Sequence, residues 1–156
     1  MVTIRPAQEQ DLSSLLKLYD ALYALLIDEY GYPFSFHREE NEKMLAVQMK
    51  SRFCCLYVAA AEEQLIGFVH GSVSKLERRL TYGDQKTIGR IDDIYVNDDY
   101  QGLGVAALLL QAAEDWFSEE GISLVESYIL CANPRSLRFH ENHGYEAAAY
   151  RTLKKL

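Results

Sequence analysis

The sequence predicts an α/β domain of the mixed, α+β kind: one mostly antiparallel sheet, crossed once by a parallel βαβ unit, with helices on its faces. Three features lead there. Short alternating or β-branched runs are interleaved with stretches of helical apolar spacing, in the order β, α, α, β, β, β, α, β, α, β, with room for a final strand. Within that order the stretch from Arg90 to Trp116, RIDDIYVNDDYQGLGVAALLLQAAEDW, passes from a strand through a glycine turn straight into a helix. Finally, 156 residues with 49% hydrophobic content, and no linker, repeat or low-complexity tract, form a single domain over residues 1–156.

Val2-Thr3-Ile4-Arg5 alternates and stops at Pro6, a first strand. Asp11 is placed to cap a helix whose broad apolar face is Leu12, Leu15, Leu16, Tyr19, Leu22, Tyr23 and Leu26. That helix reaches Asp28-Glu29-Tyr30 and breaks at Gly31-Tyr32-Pro33. Phe34 to Arg38 is a loop, and Glu39 to Lys50 a second, weaker helix. Cys54 to Ala61 and Leu65 to Lys75 are apolar runs joined by Glu62-Glu63-Gln64, the length of a hairpin connection. Leu76 to Thr87 is polar and reads as a surface loop. Ile88 to Val96 is the next strand and Asn97 to Tyr100 a polar turn. The central helix opens at Gln101-Gly102-Leu103-Gly104-Val105-Ala106 and runs to about Gly121, with Val105, Leu108, Leu109, Ala112 and Trp116 as its apolar stripe. Val125 to Leu130 is a strand, a helix starts at Asn133, and Tyr145 to Leu153 closes the chain as a last strand or hairpin.

A net charge of −7 argues against non-specific nucleic-acid binding and suits a cationic substrate. No run of ~18 apolar residues and no cationic-then-apolar leader occurs, so neither a membrane span nor a secretory signal is expected. The cysteines Cys54, Cys55 and Cys131 are odd in number, and two of them are adjacent. Their spacing suits neither a disulfide framework nor a zinc site, so free thiols in a reducing cytoplasm, and no metal, are expected.

A glycine loop entering a helix N-terminus is a device for binding phosphate. Glycine lets the backbone come close to a ligand, the first helical N–H groups lack intrahelical partners, and the helix dipole adds partial positive charge. The loop contains no Lys, unlike the nucleoside-triphosphate P-loop, and lacks the GxGxxG spacing of dinucleotide sites. On the glycines alone, a tight strand-to-helix turn is an equal reading.

Two motifs carry a resemblance. Gln101-x-x-Gly104-x-Ala106, preceded by Ile94-Tyr95-Val96, resembles the acyl-CoA-binding motif of the GNAT superfamily of N-acetyltransferases. Asn133-Pro134-Arg135-Ser136-Leu137-Arg138-Phe139-His140-Glu141-Asn142-His143-Gly144-Tyr145 is similar to that family's Asn-x-x-(small)-x-x-Phe-Tyr-x-x-x-Gly-Phe/Tyr helix. With the flanking pattern, the likeness covers nearly the whole chain. It implies a twisted, mostly antiparallel sheet of six to seven strands, splayed between two parallel strands, Ile88–Val96 and Val125–Leu130, with about four helices. It also implies acetyl-CoA as cosubstrate, a small amine as acceptor and a homodimer, with no nucleic-acid or membrane partner.

By the same resemblance, the backbone of Ile94, Tyr95 and Val96 bonds pantetheine strand fashion, and the Ile94 N–H faces the thioester oxygen. Gln101, Gly102, Leu103, Gly104, Val105, Ala106 and Ala107 receive the pyrophosphate. Asn133 and Ser136 meet the cofactor chain, although Asn133 is equally a helix cap. Arg135 and Arg138 either meet the CoA phosphates or form a solvated helix face.

Asp92 and Asp93 are carboxylates inside an apolar strand, a combination with a functional reason or a partner such as Arg90. Asp92 matches a position often held in the family by a catalytic Glu, and so is the expected base. His140 departs from the family's Tyr, the residue that protonates the leaving thiolate; an imidazole can do the same, or lie on the surface with no role. Asp28, Glu29, Tyr30, Tyr32, Glu126 and Tyr128 are candidates for the acceptor side, the acidic group resembling that of polyamine-type members. The expectation is an acetyl-CoA-dependent N-acetyltransferase working by direct attack; an acyl-CoA sensor without turnover, or a protein or peptide N-acetyltransferase, are the alternatives.

Overall fold

The computed structural model describes residues 1–156. Five strands form one sheet in sequence order: β1 (Val2–Pro6), β2 (Cys54–Ala61), β3 (Gln64–Lys75), β4 (Thr87–Val96) and β5 (Val125–Ser127). Neighbours are antiparallel as far as β4, whereas β4 and β5 run parallel. A parallel pair needs a crossover, and α3 (Val105–Glu119) supplies it. The other helices are α1 (Leu12–Ala24), α2 (Arg38–Gln48) and α4 (Pro134–Asn142).

The sheet has five strands, not six to seven. β5 stops at Ser127 instead of Leu130, and Tyr128 is already 68% exposed. The expected last strand does not form: residues 145–153 are irregular. Three consecutive alanines at 147–149 give that segment little side chain to pack, and Tyr150 and Leu153 face solvent. A three-residue β5 also presents too short an edge to template a ladder.

Each face of the sheet carries its own apolar layer. Leu15, Leu16, Leu18, Tyr19 and Leu22 of α1, with Leu45 of α2, cover Leu56, Val58, Leu65 and Phe68 on one side. On the other side Val105, Leu109, Leu110, Ala113 and Phe117 of α3 cover Cys55, Ala59, Ile66, Val69, Ile91 and Val96. The α3 stripe is therefore rotated by one residue from the expected one: Leu108 is 52% exposed, and Phe117 rather than Trp116 is fully buried. Two glycines set this. A Cβ at Gly71 or Gly89 would come within 2.9 or 2.8 Å of the Phe117 ring, so the ring takes the space that side chains would fill. Asp11 stands at the N-cap position of α1, as expected, but its side chain makes no capping bond to that helix. It is buried and accepts hydrogen bonds from Arg5 at 2.6 and 2.9 Å and from the Gln8 N–H at 2.8 Å. No helix is long and apolar enough to cross a membrane.

Candidate active site

β5 pairs with β4 only from Gly89↔Val125 to Ile91↔Ser127. From Asp92 to Val96 that edge of β4 has no strand beside it, so the two parallel strands part there. Ile94 and Val96 send their side chains into the α3 layer and Tyr95 into the α1 layer, while β3 satisfies their other edge. The open edge leaves backbone N–H and C=O groups available to an extended ligand, as in strand addition.

The edge leads into the glycine turn. A short 3-10 turn, Asp98–Tyr100, precedes Gly102 and Gly104, which have φ of 77° and 81°. That left-handed backbone favours glycine, and an added Cβ at either position would meet nothing within 4 Å, so the turn opens onto free space. Gly104 is the N-cap of α3 and provides no side-chain cap, so the first N–H groups of α3, at Val105, Ala106 and Ala107, point into that space. The Gln101 side chain holds the turn from behind, donating to the Val96 carbonyl at 2.8 Å and to Asp98 at 2.7 Å. Leu103 is exposed on the rim.

At the other end of the open edge is a bulge. The β3–β4 register slips between His70/Gly71, leaving Asp92 as the extra residue between Ile91 and Asp93. Successive residues of a strand normally face opposite sides, and a bulge re-aims them. His70 lies directly opposite Asp93, and its Nδ1 is 3.9 Å from Asp92 Oδ2, so both carboxylates and the imidazole share one face. Asp92 does not pair with Arg90, whose guanidinium donates to Glu126 at 2.7 and 2.9 Å and lies over the Tyr128 ring. Burial first, then the charge of Asp92, pushes the Asp93 carboxyl up to about 7, and the Tyr23 hydroxyl partly offsets this. Burial also holds the His70 imidazole below its ordinary value, with Asp92 acting the other way. Tyr23 stacks on Phe36 at 4.1 Å and leads to Tyr32 and Phe34, an aromatic wall beside the carboxylates. A π-helical turn, Leu25–Glu29, of the kind often found at sites, separates Tyr23 from Tyr32, Phe34 and Phe36. Asp28 and Glu29 in that turn are exposed.

His70, Tyr19 and Tyr23 were not among the sequence candidates. His70 did leave a signal, an imidazole inside the apolar run LIGFVHGSV. The two tyrosines gave none, because both fit the apolar stripe of α1.

His140 is buried, at 2% exposure, not on the surface. Its Nδ1 lies 2.9 Å from the Ser136 carbonyl and its Nε2 3.2 Å from the Ser127 hydroxyl, at the point where β4 and β5 part. Burial, and to a lesser extent His143, lowers its proton affinity. Asn133 caps α4, its Oδ1 accepting the Ser136 N–H at 3.0 Å. Arg135 and Arg138 are exposed on α4. Two depressions lie off this groove, one of about 650 Å³ beside Arg5 and Asp11 and one of about 280 Å³ beside Cys54 and Trp116.

Comparison with known proteins agrees with this architecture. An uncharacterized N-acetyltransferase of Methanocaldococcus jannaschii is 25% identical over 147 residues, which make up 92% of this chain and 60% of that protein. The chain therefore spans about 60% of that relative's length. A crystal structure of a predicted acetyltransferase with acetyl-CoA from Clostridium acetobutylicum superposes with a TM-score of 0.82 at 18% identity, covering 99% and 96% of the two chains. The aminoglycoside N-acetyltransferase AAC(6')-Iy in complex with CoA superposes with a TM-score of 0.78 at 19% identity, covering 100% and 95%. At those identities the structures establish the fold. The Acetyltransferase (GNAT) family model matches residues 19–145, from α1 to the end of the second motif, and the chain belongs to that family.

Proposed function

We propose that this chain transfers an acetyl group from acetyl-CoA to the primary amine of a small, cationic acceptor, by direct attack with both substrates bound together. One observation carries the reading: a single continuous edge runs from paired carboxylates, past unpaired strand backbone, to a glycine turn and an uncapped helix N-terminus. Such an edge accommodates an amine, a thioester arm and a pyrophosphate in that order. Holding both reactants in one groove supplies the proximity such a reaction needs.

In this reading the N–H groups from Gly102 to Ala107 take the pyrophosphate, and Ile94, Tyr95 and Val96 take pantetheine. Asp92 accepts a proton from the ammonium, and the freed nitrogen attacks the thioester carbonyl. The Ile94 N–H stabilises the oxyanion. As the tetrahedral intermediate collapses the C–S bond breaks, and the thiolate takes a proton either from His140 in its imidazolium form, by way of the Ser127 hydroxyl, or from water. Asn133 and Ser136 shape the wall of the groove. A homodimer and a cytoplasmic setting belong to the same reading.

A second reading is favoured by the two bonded nitrogens of His140: an acyl-CoA-binding protein without turnover, in which that residue only fastens α4 to β5. Incubating acetyl-CoA with polyamines, aminoglycosides, amino acids and peptides, read by free thiol release, separates the two. Thiol release with a cationic amine supports the enzyme. Tight CoA binding with no release from any amine supports the sensor, and a neutral or anionic best acceptor refutes the cationic assignment.

A further inference from the structure

Resting on the reading of Asp92 as base, we propose that His70 is its positioning residue: an Nδ1–H donated across the β3–β4 bulge aims the Asp92 carboxylate, so that Asp92 and not Asp93 accepts the proton.

The His70 side chain is 5% exposed, and its Nε2 has no partner. Asp92 Oδ2 is likewise buried without a partner. Buried polar groups in native proteins are nearly always bonded, so an orphaned carboxylate oxygen 3.9 Å from the Nδ1 of a buried imidazole calls for an explanation. The bulge supplies it, because it brings a second carboxylate to the face that already holds His70 and Asp93. A shift of roughly 1 Å turns the contact into an ordinary N–H···O bond, and catalytic hydrogen bonds commonly tighten only when substrate is bound.

The surroundings decide the direction of the bond. Facing the pair are Asp93 from β4, Tyr19 and Tyr23 from α1, and Cys54 from β2, with Cys55 behind the sheet under α3. Arg90 also faces Asp92 but spends its charge on Glu126. None of these offers Asp92 a cation, and burial keeps His70 neutral near neutral pH. A neutral imidazole beside a carboxylate is favoured with its proton on the nearer nitrogen, here Nδ1. A hydrogen bond to the charged form of an acid lowers its pKa. Asp93 lacks this donor, and burial with the Asp92 charge raises its own pKa, so the two adjacent acids sit in different environments.

Two measurements test it. Nitrogen-15 spectra of the intact protein should show neutral His70 protonated at Nδ1, and Asp92→Ala should return it to the Nε2–H form common in water. Separately, with spermidine or kanamycin as the amine, His70→Leu should move the acid limb of kcat/KM up by about one pH unit, a tenfold loss at low pH that fades at high pH. His70→Asn should restore the limb, since its amide N–H sits near the former Nδ1. An Nε2–H tautomer in the parent, an unchanged tautomer in Asp92→Ala, or identical profiles for the Leu and Asn variants overturns the proposal. If no amine is turned over, the proposed function fails while the tautomer experiment still decides the role of His70.

Discussion

Asp93 is expected to make this fold lose stability as pH rises, and Asp93→Asn should abolish the loss. Burial, then the Asp92 charge, moves its carboxyl from 3.8 up to about 7. Between those values the unfolded chain has released the proton while the folded chain still holds it. The folded state then binds more protons, so stability falls with rising pH and the fall is complete above about 7. Roughly three pH units at ~1.36 kcal/mol each amount to ~4 kcal/mol, an upper bound because a charged site relaxes and admits water. Asparagine keeps the shape beside the Tyr23 hydroxyl but carries no charge at any pH. At ~2–4 °C per kcal/mol for a chain of this size, the variant should melt ~8–16 °C higher than the parent at pH 8 and alike at pH 4. Thermal melts followed by circular dichroism at pH 4, 6 and 8 measure this directly. A variant whose melting temperature tracks the parent's across that range would show that Asp93 is ionised at little cost and that its site is wet.

Three further outcomes are expected. Gly104→Glu should abolish CoA binding in calorimetry, because it fills and charges the space before α3, and should also lower stability because φ there is 81°; unchanged affinity in a folded variant would remove the pyrophosphate assignment. Gly89→Ala should destabilise by ~1–3 kcal/mol in urea titration, since its Cβ would stand 2.8 Å from the buried Phe117 ring. His140→Ala should lower kcat and erase an alkaline fall in kcat/KM whose midpoint lies below the ordinary imidazole value, burial having lowered it; matching profiles for variant and parent make His140 a spectator.

What was legible in the sequence follows from how local its causes were. The glycine turn announced itself because left-handed backbone at Gly102 and Gly104 demands glycine, and the helix after it had an uninterrupted apolar stripe. Element order up to α4 followed from spacing alone. The phase of α3 did not, because Trp116 and Phe117 are both large and apolar, and only the hollow made by Gly71 and Gly89 on two other strands selects Phe117. The final strand failed for a related reason: Tyr145 to Leu153 has strand-like residues, but a strand needs a neighbour, and β5 is too short to be one.

The site shows the same division more sharply. Two adjacent aspartates in an apolar strand read as chemistry, yet alternation would send one to each face of the sheet and leave at most one near a substrate. Only the slipped register opposite His70 puts both on one side, and no local pattern in Ile91-Asp92-Asp93-Ile94 encodes that slip. Its consequence is functional. One acid alone on that face would be a base or a charge anchor; two acids sharing it cannot both ionise cheaply, so their environments must part them. Tyr23 and burial act on Asp93, and His70 stands within reach of Asp92. The parting of β4 from β5 begins at the same residue, since Ile91 is the last to pair with both neighbours. One extra residue in β4 thus stands where the edge opens and, in the proposed function, sets the base beside the thioester.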